Sequence, residues 1–470
     1  MNTHAHDADP SGPHAHGARR EHWATHLGFI MAAAGSAIGL GNIWKFPYIT
    51  GENGGGAFVL VYLLCIAVIG VPVMLAEFAI GRHTQRNPVG AFARLSGDNP
   101  LWKLVGFMGV LSGFLIMSFY SVVGGWTLAY ILKGMSGEFA QYGSPDVAWQ
   151  NFLSFTGDPL APVVFSAVFI AFCAYAVYSG VRKGIERWCD VLMPALFIII
   201  VAIMLRGLTL PGAIDGVKFF LKPDFSALTP KAFLIALGHA FFSLSLGMGA
   251  MITYGSYVDR QENLWKSAVL VSGLDTGISI LAGLAIFPAV FAFGFDPAAG
   301  PGLVFKVLPA VFAKMPGGAF LWGTAFFVLL AIAALTSGMS LLEVVTAYFV
   351  DEKGYRRHVV AIGASLAIFL LSIPCALSFG LLSDVQFFGK TVFDVLDYLA
   401  SNMFLPLGGL LICLFTAWRW GTEEALKEIN AGSVGFSRVW WGRAWGLLVK
   451  FVSPVAVVLV LLYSLGVIGR

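Results

Sequence analysis

Long apolar stretches joined by short connections leave this chain almost nowhere to build a water-facing surface, and that constrains the fold before any motif is considered. Of 470 residues, 58% are hydrophobic and only 12% charged, against about a quarter charged in ordinary globular proteins, so a mostly soluble protein is excluded. One helix crosses a bilayer with about 20 apolar residues. The pattern predicts one polytopic membrane domain with eleven spans, at 27–50, 57–81, 101–132, 163–179, 189–206, 231–257, 265–294, 318–350, 359–374, 390–418 and 444–468. A net charge of +3 gives no case for nucleic-acid binding.

Alternate connections carry the basic groups: Arg19 and Arg20, then Arg82, Arg86 and Arg94, then Arg182, Lys183 and Arg187, then Arg260, then Lys353, Arg356 and Arg357, then Arg438 and Arg443. By the positive-inside rule these connections are cytoplasmic, which predicts a plasma-membrane protein with its N-terminus inside and Arg470 outside. The opposite connections, 133–162, 207–230 and 295–317, are longer and rich in Gly, Pro and aromatics, as expected of segments capping a pore mouth. No signal peptide is read at the start, because the first long apolar run begins near Leu27. Residues 1–22 read as a disordered cytoplasmic tail, although the His4/His6 and His14/His16 pairs are of a kind that can hold a metal. Cys65, Cys173, Cys189, Cys375 and Cys413 have neither disulfide-framework nor zinc spacing and read as packing residues.

Two spans are poor helices in the same way. The first, AAAGSAIGLGNIWKFP, clusters Gly35, Gly39 and Gly41, and the sixth, FFSLSLGMGAMITYGSY, clusters Gly247, Gly249 and Gly255. Each glycine costs about 1 kcal/mol relative to Ala inside a helix, so three together favour local unwinding, and irregular backbone at membrane depth is tolerated only beside protein or a watery cavity. Breaks at matching places in two five-helix halves predict an inverted-repeat transporter with its site at the breaks; the competing reading is small residues for close helix packing. The freed N–H ends suit a carboxylate and the freed carbonyls suit Na⁺ or an ammonium. Oxygen side chains available nearby are Asn42, Ser243, Asp275, Thr336 and Ser337. Ala333, Thr336, Ser337 and Ser340 share one face of the eighth span, either an ion-binding face or a packing seam. Ionisable residues within spans are costly; here they are Lys45, Glu77, Asp275, Glu343, Asp394 and Asp397. Asp275 is the best ion ligand among them, and Glu77 reads as a buttress for a broken helix.

From REHWATHLGFIMAAAGSAIGLGNIWKFPYITGENGGGAF through the tenth span, with FFSLSLGMGA and ALTSGMS, the chain resembles the neurotransmitter:sodium symporters, and most of all their bacterial amino-acid transporters. The resemblance implies the bacterial leucine transporter-like fold: an all-α 5+5 inverted repeat with repeats at 23–206 and 231–418, followed by residues 419–470 with the eleventh helix. It implies one sodium at the Ala37 carbonyl, Asn42, Ser243, Asp275 and the substrate carboxylate. A second would sit at the carbonyls of Gly35, Ile38 and Ala333 with the hydroxyls of Thr336 and Ser337. The substrate carboxylate would meet the N–H groups of Leu40 and Gly41 and the Tyr120 hydroxyl. Its ammonium would meet carbonyls of Ala37, Phe242 and Ser243 and the Ser245 side chain. Ser36, Ile116, Phe242, Met248 and Leu341 would line the side-chain pocket, with Ser337 also at the site, and Phe242 and Tyr120 would form a thin lid. Lys45 would pair with Asp397 outside; Arg20 would pair with Asp351 inside, beside Trp23 and Tyr257.

Departures from the family pattern sharpen the expectation. Monoamine carriers have an acid where this chain has Gly39, which favours amino acids over amines. Chloride-dependent members have a neutral amide at Asp275, so fixed charge here predicts chloride-independent transport, with proton countertransport if Asp275 or His239 protonates on the return step. The expected function is sodium-coupled import of a neutral L-amino acid by alternating access; another zwitterion or amine, or a non-transporting sensor, is the alternative. An intramembrane enzyme would need a nucleophile with its base or a metal motif such as His-Glu-x-x-His, and none occurs.

Overall fold

The computed structural model describes residues 21–298, 300, 302–432, 436 and 440–468. The His-containing tail and Arg20 lie outside these residues. Among the described residues, nine helices are long and apolar enough to cross a membrane: Gly56–Thr84, Pro100–Met135, Ala161–Tyr178, Val181–Leu208, Leu264–Ala292, Gly318–Lys353, Arg357–Leu377, Val392–Ala431 and Trp440–Ser464. A tenth crossing is the pair His26–Ala37 and Gly41–Glu52, bent by 49°. The expected sixth span is Pro230–Ser243 followed by Ala250–Gly255, with residues 244–249 not helical between them. These stretches correspond one to one with the eleven predicted from sequence.

Both interruptions have local causes. At the first, Ile38 turns extended, with ψ of 107°. At the second, Ser245, Gly247 and Gly249 have φ of +53°, +82° and +77°, a left-handed conformation that glycine adopts freely and serine does not. A Cβ on Gly247 would run into the Leu405 carbonyl, so the tenth span passes against the break at backbone distance. Glu77 of the second span is fully buried and accepts the Gly247 N–H at 2.8 Å, meeting a backbone donor that the lost helix cannot satisfy.

The third and eighth spans, Pro100–Met135 and Gly318–Lys353, have 36 residues each and pack along one another past both breaks. The fourth, fifth, ninth and eleventh are less than half buried, and their apolar sides face outward. The long connections are folded. Pro145–Gly157, Ala213–Leu221 and Leu308–Lys314 are helical, and Phe305 beside the last of these packs on Trp126, Tyr130 and Phe152 at ring distances of 5.8, 5.1 and 4.9 Å.

The tenth helix runs past its predicted end at 418 to Ala431. Its last part, Thr422–Ala431, is polar and is fixed by fully buried Arg82, which donates to Glu428 Oε1 at 2.6 Å and to the Glu262 carbonyl at 2.6 Å. The apolar pattern marks what lies in lipid; past it the backbone turns at Gly421, φ +97°, into the polar helix that Arg82 holds. All five cysteines are free and buried.

Glu77→Ala leaves the Gly247 N–H without its acceptor and opens a gap beside the sixth-span break. Losing a hydrogen bond to a buried charge-bearing group costs about 1–3 kcal/mol, so the detergent-solubilised variant should melt several degrees below the parent; an unchanged melting temperature would dissociate Glu77 from the break.

Candidate functional site

At the first break the chain makes a non-helical step through Gly39 and re-enters a helix at Gly41. The Gly39 N–H donates to Asn42 Oδ1 at 3.0 Å and the Leu40 N–H to the Tyr120 hydroxyl at 3.2 Å. The opposite side of Asn42 faces the seventh span: its Nδ2 lies 2.7 Å from Asp275 Oδ1, 3.0 Å from Ser243 Oγ and 2.9 Å from Ser279 Oγ. Ser243 ends the first half of the sixth span, and its hydroxyl donates toward Asp275 at 2.9–3.0 Å. Three broken or facing helices therefore converge on one carboxylate, and Asn42, Ser243, Asp275 and Ser279 are each at most 1% exposed.

Of the residues expected around the first sodium, the structure joins Asn42, Ser243 and Asp275 directly, while Ala37 lines the adjacent cavity. Two partners escaped the sequence reading. Ser279 stands one helical turn beyond Asp275, a spacing visible in the sequence. Tyr62 donates to Ser243 Oγ at 3.2 Å and lies 3.4 Å from Asp275, and only the fold brings it there. A carboxylate with hydroxyl oxygens around it suits a hard cation and not a soft metal.

The second group lies where the first span meets the eighth. A Cβ on Gly35 would stand 3.1 Å from Thr336 Cβ and 3.3 Å from the sulfurs of Cys189 and Met193. Thr336 Oγ1 donates to the carbonyls of Ile332 and Ala333 at 3.1 and 3.2 Å. The Ile38 N–H closes the first half-helix on the Ala34 carbonyl at 2.7 Å. Gly35, Ile38, Ala333, Thr336 and Ser337 are buried.

Between the breaks is a cavity of about 20 Å³ lined by Ala37, Gly39, Leu40, Gly41, Ile116, Tyr120, Phe242, Ser245, Met248, Ser337 and Leu341. That is room for about one water, so an organic ligand enters only with side-chain movement. Ser36 is bonded just behind it: its hydroxyl donates to Ser340 at 2.8 Å, and Ser245 Oγ donates to the Ser36 carbonyl at 2.8 Å. Tyr120 and Phe242 also line a separate chamber of about 70 Å³ with Trp44, Lys45 and Asp397, and so stand between the two spaces.

The gate expectations divide. Lys45 and Asp397 share that chamber but form no ion pair: Lys45 Nζ lies over the Phe242 ring, 4.6 Å from its centroid, and Asp397 Oδ1 accepts from Ser401 at 2.7 Å. A single ammonium has no fork with which to span the chamber, and the ring face below it satisfies its charge. At the other end Trp23 packs on Tyr254 and Tyr257 at 5.2 and 5.9 Å and donates its indole N–H to the Tyr254 carbonyl. Asp351 accepts from the Asn87 N–H at 3.0 Å; its expected partner Arg20 is outside the described residues. Glu343, which the sequence left without a role, is fully buried and bonded to Arg357 and to the Tyr257 hydroxyl at 2.6 Å.

Two discontinuous helices crossing at a buried acid and hydroxyl cluster, flanked by a closed ligand space, define a secondary transporter. Similarity to known proteins makes the class specific. The model of the sodium:neurotransmitter symporter family matches residues 20–152 and 147–468, and the chain belongs to that family. It is 44% identical to the uncharacterized sodium-dependent transporter YhdH of Bacillus subtilis, over 95% of this chain and 98% of that one. It is 38% identical to an uncharacterized sodium-dependent transporter of Haemophilus influenzae, with the same two coverages. The crystal structure of MhsT in complex with L-phenylalanine superimposes with a TM-score of 0.86 at 48% identity, over 95% of this chain and all of that one. The protein is therefore a multi-pass, sodium-dependent transporter with the bacterial leucine transporter-like fold, and not an enzyme.

Asn42→Ala removes the amide that ties Ser243, Asp275 and Ser279 together. Each such charged hydrogen bond is worth about 1.5–3 kcal/mol, so the sodium concentration giving half-maximal thermal stabilisation should rise at least tenfold. A variant with the parent's sodium dependence would remove this cluster from the ion sites.

Proposed function

We propose that the protein imports neutral, hydrophobic L-amino acids together with sodium by alternating access, across the plasma membrane and without chloride. The observation that carries this reading is the convergence of both helix breaks and the seventh span on Asp275. It supplies a fixed negative charge and hydroxyl oxygens for a cation beside backbone N–H groups that suit a carboxylate. The L-phenylalanine complex of MhsT supports an amino-acid substrate, and the apolar lining of Ile116, Phe242, Met248 and Leu341 supports a hydrophobic side chain.

On this reading sodium is cargo held at two places. The first ion takes Asn42, Ser243, Asp275, the Ala37 carbonyl and the substrate carboxylate. Its entry requires the Asn42 amide to present oxygen where nitrogen now faces Asp275. The second takes carbonyls of Gly35, Ile38 and Ala333 with Thr336 and Ser337, and so joins the first span to the eighth. The substrate carboxylate completes its shell from the Leu40 and Gly41 N–H groups and Tyr120. Its ammonium lies toward the carbonyls of Ala37, Phe242 and Ser243 and the Ser245 hydroxyl. Tyr120 and Phe242 close over it. Opening inward then separates Trp23 from Tyr254 and Tyr257 as the first half-helix swings away.

The energetics suffice. One charge crossing 100 mV is worth about 2.3 kcal/mol, and a tenfold gradient adds about 1.4. Two sodium ions therefore supply roughly 7 kcal/mol, about five decades of accumulation for a zwitterion; one ion supplies fewer than three.

Uptake of a labelled amino-acid panel into proteoliposomes, with sodium and chloride replaced independently, tests the proposal. Hydrophobic amino acids should accumulate only with an inward sodium gradient and equally well without chloride. Sodium-independent uptake would overturn it. Asp275→Asn should lose chloride-independent uptake, and a variant that transports normally without chloride would show that this charge does not stand in for an anion.

A further inference from the structure

The start of the first span and the start of the fifth are fastened to each other by two carboxylates, one from each side. Glu186 ends the wide first turns, Val181–Glu186, of the fifth span, and it is only 3% exposed. Its oxygens accept the backbone N–H groups of Ala24 at 2.9 Å and Thr25 at 3.2 Å, and its Oε1 lies 3.4 Å from the Thr25 hydroxyl. Thr25 is itself the cap of helix His26–Ala37, its hydroxyl accepting the Gly28 N–H at 2.9 Å. Gly28 leaves the space that Glu186 occupies, since a Cβ there would overlap the carboxylate. In the other direction Glu21 accepts the N–H of Val181, the first residue of those turns, next to Gly180 at φ +97°. Each acid thus neutralises the positive end of the other's helix.

We propose that Glu186 is the positioning residue that holds the inner half of the first span shut, and that release of this reciprocal clasp is the step limiting how often the inner side opens. The inference rests on the alternating-access reading above. Trp23 also holds this end, through ring contacts with Tyr254 and Tyr257 and N–H bonds to both of their carbonyls, none of which carries a charge. The clasp is directional: three N–H donors and two carboxylates must all pass to water together when the half-helix leaves. The fifth span carries Cys189 and Met193 against Gly35, so the same span that fastens the cytoplasmic end of the first half-helix also backs its inner wall, where the second sodium is proposed to sit.

The test uses a Ser256→Cys reporter, buried beside Tyr254 and Tyr257, in the full-length solubilised protein, whose own described cysteines are all buried. The rate of maleimide labelling reads inner opening. Glu186→Gln keeps the shape and removes the charge; it should raise labelling without sodium about tenfold and raise the sodium needed to suppress labelling by a similar factor. A merely structural Glu186 would lower the melting temperature and leave that sodium midpoint in place, which would overturn the inference. Should Glu186 variants fail to fold, Glu21→Gln attacks the clasp from its exposed side and should shift labelling in the same direction; no shift would also overturn it. If sodium does not suppress labelling in the reporter protein itself, it is the alternating-access reading that fails.

Discussion

Backbone that leaves its helix inside a bilayer has no water to turn to, and every other feature of this molecule is arranged around that constraint. Two breaks expose N–H and C=O groups at membrane depth. The groups that meet them are drawn from elsewhere in the chain: Glu77 from the second span to Gly247, Tyr120 from the third to Leu40, and Asn42 back to Gly39. None of these is decoration on a stable helix. Without them the two broken spans would have reason to rewind and erase the space between the halves. Burying a carboxylate such as Glu77 is costly, and the compensation is a backbone geometry that an apolar side chain could not hold in place.

The same constraint explains why so few charges are spread so unevenly. Among those within spans, Asp275 sits where three helices meet, Glu77 meets the sixth-span break, and Glu343 is bonded to Arg357 and Tyr257. Those at the edges fasten polar segments to the membrane body, as Arg82 does with the helix Thr422–Ala431. The long third and eighth spans pack along one another past both breaks and give the broken helices a continuous wall.

Much of this could be read from the chain alone, because the relevant signals are local. Clustered glycines marked both breaks, the Thr336–Ser337 face followed from helical spacing, and the isolated Asp275 stood out against apolar neighbours. What could not be read depends on contacts between distant segments. Tyr62 is one aromatic among many until the fold brings its hydroxyl to Asp275, and Glu186 looks like a loop acid until it meets Ala24 and Thr25. Lys45 shows a different limit: the family resemblance implied a pair with Asp397, whereas in this structure the ammonium lies over the Phe242 ring. The helix beyond 418 was missed because hydropathy reports where lipid ends, not where a helix does.

The cavity between the breaks has room for about one water, and its walls are mostly buried side chains. In folding terms, the cargo proposed for it would be a core residue that the chain does not encode. Each methylene on a ligand's side chain then acts as a core substitution would, stabilising where it fills space and straining where it overfills. On the proposed function, selectivity among hydrophobic ligands would then be a problem of packing density around Met248 and Phe242, governed by side-chain volume more than by polarity.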